Sequence, residues 1–395
     1  MSVAATGRWS RAFVTVGIGF FLAAQAAVLV GSRRSVIVVL GLYGFVFHVV
    51  FGKAYALLPV YFERELAMPK VIAVHLPLAS IGVLSLALEA AGIGPTAVGD
   101  IGALSWSLGC LLFAGTLGWT FRGNLTGRAT GTGEPARHRQ RIDRVANAFV
   151  PLVLAYLVVG AVLLVAARPS AGVLESGAID APTITHVFAV GSATLLVFAV
   201  GFRVLPRFLV ATPRPTLVVG TLLAGALGPA VLVVDFLGDT IFQLGAAIQA
   251  LALLGFAVTY LEMYRASDRN RVGFHAVALG ALGGVLAVLL GVHVAFAGVD
   301  ATILDSHYRL AVTGFLGLTI VGVSYVFYPP TVSLLPGDGD RLALGSVGLL
   351  GGGLGVEVGG ILAEHALLES VGSSAVLVGA TLYAAVVWSV FLARR

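Results

Sequence analysis

A chain of 395 residues that is 58% hydrophobic and 11% charged, with a mean hydropathy of +1.00, is not a soluble globular domain, where about 25% of residues are charged. Its net charge of +5 reports membrane topology and not nucleic-acid binding, because the basic residues segregate to the loops of one side. A single cysteine, Cys110, excludes an internal disulfide and any CxxC metal site, and within its apolar run it reads as an inert packing residue.

Apolar runs of about 20 residues are long enough to cross a bilayer. They predict an all-α integral membrane fold with about twelve spans: 12–31, 35–61, 70–92, 101–121, 146–167, 183–208, 215–236, 240–262, 273–298, 307–330, 342–365 and 371–392. The first run, Phe13 to Val30, has no polar cleavage region and is followed by Arg33-Arg34, so it reads as a span and not a cleaved signal. With an even number of spans, both termini and the even-to-odd loops share one side. That side carries most basic residues, from Arg8, Arg64 and Lys70 through the Arg122–Arg144 loop to Arg394 and Arg395. The other carries Arg33, Arg34 and Arg168 beside Asp100, Glu175, Asp180, Asp239, Asp300, Asp305 and Glu369. The bias places both termini in the cytoplasm and the chain, as a multi-pass protein, in the plasma membrane. The longest loop is rich in Gly, Thr and Arg and is expected to be a flexible cytoplasmic linker, 122–145. Its Arg137–Arg141 stretch reads as a topology determinant more than a headgroup site.

One pattern occurs three times. Gly44 to Pro59 reads GFVFHVVFGKAYALLP, Gly191 to Pro206 reads GSATLLVFAVGFRVLP, and Gly314 to Pro329 reads GFLGLTIVGVSYVFYP. Without a gap these windows align Gly44, Gly191 and Gly314; Phe51, Phe198 and Val321; Gly52, Ala199 and Gly322; Tyr55, Phe202 and Tyr325; and Pro59, Pro206 and Pro329. Offsets of 147 and 123 residues predict three pseudo-repeated four-helix units, 12–121, 146–262 and 273–392, in one membrane domain. Spans 2, 6 and 10 are then expected to meet at the centre, approaching one another through their small residues.

Ionisable side chains inside a bilayer are costly and need a reason. His186, His293 and His307 fall at one outer depth on three helices. Imidazole is the commonest metal and haem-iron ligand, and one ligand per facing helix is how a bundle builds a metal site. Asp300 or Asp305 is then placed to orient an imidazole. The plainer reading is a histidine at headgroup level bonded to water, and it is preferred for His75, His275 and His365. His48 lies mid-span, where no water satisfies it; it is either a ligand or bonded to a neighbouring Tyr or a backbone carbonyl. Lys53 and Arg203 read as anchors that snorkel to the surface. Glu357, among glycines, reads either as a proton relay or ion site, or as a protonated carboxyl bonded across a helix contact. These residues also support a different function, a metal-free transporter or channel with His48, Lys53 and Glu357 along a proton or ion path.

His307-Tyr308-Arg309, followed by Gly314, Gly322, Tyr325 and Pro329, resembles the tenth span of the heme-copper oxidase subunit I superfamily and the related NnrS-type membrane proteins. That span opens with His-x-His, runs through small residues and closes on an aromatic segment ending in Pro. The resemblance implies twelve spans in three four-helix arcs with cytoplasmic termini, a haem or copper ion near the outer side, and oxygen or nitric oxide chemistry or sensing. The diatomic gas would be the ligand, with the redox partner unspecified. Carried over residue by residue, His307 matches the high-spin haem ligand and His186, in Thr185-His186-Val187-Phe188, the first copper ligand. The second histidine of His-x-His is Arg309 here, Val36, Ile37 and Val39 stand where its partner would lie, and span 7 has no His-His pair. The resemblance therefore implies no low-spin haem and no complete oxidase. It leaves a relative with a single haem or metal, or one without metals. Candidate cofactor ligands are His307, His186 and His48, and candidate metal ligands are His186, His293 and His307.

Overall fold

In a bilayer every backbone N–H and C=O must be paired inside the chain, which leaves helices for a sequence of long apolar runs. The computed structural model describes residues 3–173 and 179–394; Glu175 and Arg395, which entered the charge bias, lie outside them. Among the described residues twelve helices are long and apolar enough to span a membrane, and there is no strand. They are α1 Thr6–Leu29, α2 Arg34–Tyr61, α3 Val71–Ala90, α4 Thr96–Phe121, α5 Glu134–Ala166, α6 Ala181–Leu209, α7 Pro215–Val234, α8 Thr240–Arg265, α9 Val272–Ala297, α10 Ala301–Phe327, α11 Gly339–Leu362 and α12 Ala366–Ala393. The expected spans are all present. The largest difference is at α5, which extends well before residue 146 because a tight turn, Glu134–Arg139, runs directly into the helix.

Nine helices form a closed ring. α3 packs on α4, α4 on α5, α7 on α8, α8 on α9, α11 on α12 and α12 on α1, while α1 meets α3, α5 meets α7 and α9 meets α11. The other three, α2, α6 and α10, lie inside it. Of their apolar cores 72%, 72% and 78% is buried, against 33% to 56% for the ring helices, which places them at the centre. They touch one another through large side chains. Tyr43 of α2 meets Phe188 of α6 with ring centres 5.2 Å apart, and Phe198 of α6 meets Phe315 of α10 at 6.4 Å.

Each central helix contains an eight-residue π-helical stretch, Val39–Val46, Val187–Thr194 and Leu310–Gly317. Such wide turns are rare and recur at functional sites. The three stretches contain Gly44, Gly191 and Gly314, the opening residues of the aligned windows. These glycines do not admit one another, as the sequence suggested. A Cβ on Gly44 would stand 2.7 Å from Phe20 of α1, and one on Gly191 would stand 2.5 Å from Tyr156 of α5. On α10 the same fit is to α9, where a Cβ on Gly283 would stand 2.9 Å from the backbone of Gly314. The small residues let ring helices close onto the centre, because the central helices are already spaced by aromatic rings.

The Arg11 guanidinium donates to the Arg394 carbonyl at 3.3 Å, so the two chain ends meet on one face, called here the N-terminal face. The segment before α5 covers part of that face and is not a flexible tether. Thr130 is buried, and Asn124 donates to the carbonyls of Phe62 and Ala129. The Gly131 N–H donates to Glu63 at 2.8 Å, with Gly131 at a φ of +51°. A loop whose backbone donors find partners this way costs little to order.

Candidate functional site: a histidine pair and three buried polar sites

α6 and α10 both begin on the face opposite the termini, and each start is set by an aspartate cap. Asp180 accepts from the Thr183 N–H at 2.8 Å. Asp300 accepts from the N–H groups of Thr302 and Ile303 at 2.9 and 3.0 Å. The Thr302 hydroxyl, with these N–H donors, holds the Asp300 carboxyl below its ordinary range. With the caps in place, His186 and His307 fall on the second turns of their helices, and the structure brings them together. Their ring centres are 6.2 Å apart and their planes 15° from parallel. His186 Nδ1 faces the Pro182 carbonyl and His307 Nδ1 the Ala287 carbonyl, both at 2.8 Å. A carbonyl only accepts, so each Nδ1 carries the proton and each Nε2 keeps its lone pair. Phe236 packs on His186 at 4.7 Å, and Gly291 leaves room beside His307.

Two Nε2 atoms on one ion, each about 2 Å from it, with about 1 Å more to each ring centre, give about 6 Å between centres. The observed 6.2 Å between ring centres matches that length for nitrogens on opposite sides of an ion. It is too short for a haem and a second metal in sequence between the rings. The expected third ligand does not join them. His293 is exposed, because the face of α9 that meets α10 runs through Ala287 and Gly291, and residue 293 is about 200° further round the helix. Among the described residues no group of three or more His, Cys, Asp or Glu side chains is placed to hold a metal. The aspartates are engaged elsewhere as well: Asp300 caps α10, and Asp305 pairs with Arg34 of α2 at 2.7 Å.

His48 is not part of this site. It is fully buried with both ring nitrogens bonded, Nδ1 to the Tyr43 carbonyl at 3.1 Å and Nε2 to the Ser80 hydroxyl at 3.3 Å. That carbonyl belongs to the π stretch, and the rings of Phe13 and Phe20 close over the imidazole. His75 is not at headgroup level either; it is buried and bonded to the Tyr55 hydroxyl at 3.0 Å. His275 bonds Tyr264 and Asn270, and His365 caps α12.

The remaining buried charges other than Lys53 are partnered in three separate places. Between α1, α10 and α11, Arg309 grips Glu357 with two bonds of 2.5 and 2.8 Å, and also donates to Gln25 at 2.9 Å and Thr313 at 3.0 Å. Both ions are buried, so Glu357 is neither a free relay nor a lone protonated acid. Arg309 stands where the resemblance places the second histidine, and its ion pair fills that helix contact. Under the N-terminal face, Arg207 holds Asp143 with bonds of 3.0 and 2.6 Å, and Thr132 donates to the same carboxylate at 2.5 Å. Arg203 donates to Asn147, Tyr61 and Thr130. It does not snorkel, because the segment around Thr130 seals it from water. Lys53 lies over the rings of Phe327 and Tyr328 at 4.2 and 4.1 Å. His48, Lys53 and Glu357 thus turn to different neighbours. On the opposite face, Arg168 bridges Glu89 and Asp100, and the bond to Glu89 holds its guanidinium above its ordinary range.

Gln25, Asp143 and Asn147 are the polar members that sequence reading missed. Gln25 had a signal, since it is the one amide side chain in an otherwise apolar first span. Asp143 lay hidden between Arg141 and Arg144 in what read as a loop. No protein-family model matches the chain, and no curated protein matches it.

Proposed function

We propose that this is a membrane protein of heme-copper-oxidase-like build that holds one metal ion near the outer surface and acts in oxygen or nitric oxide chemistry or sensing. The observation that carries the reading is the His186–His307 pair, each ring proton committed to a backbone carbonyl and each Nε2 left with a lone pair 6.2 Å-spaced rings can share. The orienting bond on Nδ1 is how metal-binding imidazoles are fixed in tautomer and direction. Three features support the architecture: a nine-helix ring, three central helices, and a π stretch at corresponding places in each. They support three pseudo-repeated four-helix units. The charge bias supports cytoplasmic termini, which puts the histidine pair on the outer side.

The donor set favours a transition metal that accepts imidazole, copper first, over haem. Haem is not favoured: His48 has no free nitrogen, and Arg309 stands in place of the second ligand. A metal bound by the pair would supply an open coordination position for a diatomic gas. The chain's own part is to hold the two imidazoles at fixed distance, through Pro182 and Ala287, and to shield one side with Phe236.

The test is metal analysis of the purified protein after reconstitution with copper, zinc or iron, together with a visible spectrum. One metal per chain is expected, lost in His186→Ala and in His307→Ala and kept in His48→Ala. A wild-type protein that takes up none of these metals sinks the proposal. So does a haem Soret band that persists in His307→Ala.

A further inference from the structure

Toward the N-terminal face the central helices do not close on one another. The inner halves of α2, α6 and α10 leave a cavity of about 100 Å³. Val49, Leu57, Leu196, Val200, Ile320 and Val323 contribute apolar side chains to its wall, beside the hydroxyl residues Thr319 and Ser324. An apolar cavity of about 150 Å³ holds benzene.

Lys53 is the one charged residue on that wall. No carboxylate pairs with it among the described residues. Its ammonium rests on the faces of Phe327 and Tyr328, which is weak compensation for a half-buried charge. Two more cations gather at the same place. Arg394 donates to the Phe327 carbonyl at 3.5 Å, and Arg11 donates to the Arg394 carbonyl at 3.3 Å. Neither has a carboxylate partner among the described residues. Among the described residues the buried cations Arg309 and Arg203 and the part-buried Arg207 each have an acid beside them. Among the described residues, the region around Lys53 is therefore a largely apolar cavity with positive charge at its edge and no carboxylate to match.

We propose that this cavity binds a short-chain aliphatic monocarboxylate entering from the N-terminal face. The carboxylate would take the Lys53 ammonium, and the alkyl tail would fill the space between Val49, Val200 and Ile320. A tail of about four or five carbons suits the volume, by comparison with benzene in the larger cavity. A phospholipid, with two long tails, does not. The proposal is independent of the histidine pair, which lies at the other face.

The experiment is isothermal titration of the full chain in lipid nanodiscs with pentanoate, pentanol and acetate. Pentanoate is expected to bind saturably at one site per chain, while pentanol, lacking the charge, and acetate, lacking the tail, do not. Lys53→Met keeps the stem and removes the charge, and weakens pentanoate about tenfold to a hundredfold. Val200→Phe fills the cavity and abolishes binding with Lys53 in place, and Lys53→Arg retains it. Each variant is scored only if it elutes and shows helical circular dichroism like wild type; if Lys53→Met fails that check, the contrast of Lys53→Arg with Val200→Phe decides. The proposal is overturned if pentanoate does not bind wild type, if pentanol binds as well as pentanoate, or if either Lys53→Met or Val200→Phe binds it unchanged.

Discussion

Glu357→Gln removes one charge from the Arg309–Glu357 pair and almost no volume. Arg309 and Glu357 are 2% and 1% exposed, so no water replaces the lost partner. Only the neutral acceptors Gln25 and Thr313 remain on the guanidinium. Breaking a buried pair from one side costs about 3–5 kcal/mol, because an uncompensated charge stays behind. Replacing both members by apolar residues, as in Arg309→Met with Glu357→Leu, removes that charge and is expected to be close to neutral, as for other buried pairs. If Arg309→Met and Glu357→Leu alone each cost about 3–5 kcal/mol, the coupling in that cycle is about 6–10 kcal/mol, above the ~0.5–3 kcal/mol usual for residues in one network. The assay is thermal unfolding followed by the fluorescence of the four tryptophans, in one detergent for wild type, both single variants and the double. The single variants should melt well below wild type, and the double should recover most of the loss. If Glu357→Gln melts with wild type, or if the double is less stable than either single, the pair is not a buried ion pair of the kind the geometry describes.

Two other outcomes follow from the N-terminal face. Asp143→Asn leaves Arg207 without its bidentate partner and should cost about 3–5 kcal/mol by the same reasoning, while speeding tryptic cleavage at Arg128 and Arg137 as the covering segment loosens; unchanged proteolysis would refute its docked role. For sidedness, His138→Cys, on an exposed residue, should resist a membrane-impermeant thiol reagent in intact cells, while exposed Val299→Cys should react. Native Cys110 is buried and gives no background; Gly131, whose added Cβ would run into the Val60 carbonyl, is not a usable position.

Much of the candidate site was legible because histidine is conspicuous in an apolar span. His186 and His307 were picked out by depth alone, and depth follows from counting residues along a helix. What depth does not carry is direction. His293 shares that depth, yet its rotation about α9 turns it away, and only the contacts of Ala287 and Gly291 with α10 reveal the phase. His48 read as a candidate ligand because its partners, the Tyr43 carbonyl and the Ser80 hydroxyl, are not announced by the residue pattern. The Arg309–Glu357 pair joins residues 48 positions apart, so neither predicts the other from local spacing. Gly44, Gly191 and Gly314 were correctly singled out as places of close approach, but for the wrong partners.

The sequence by itself determined that the chain is helical and membrane-spanning, and where each span lies. Those properties follow from summed transfer energies over about 20 residues, which no distant contact reverses. Only the tertiary structure decided which spans form the ring and which the centre, which charges are paired, and which two of eight histidines face each other. These depend on helix rotation and on the fit of individual side chains, where a change of one residue in phase turns a group by about 100° and exchanges a partner for lipid.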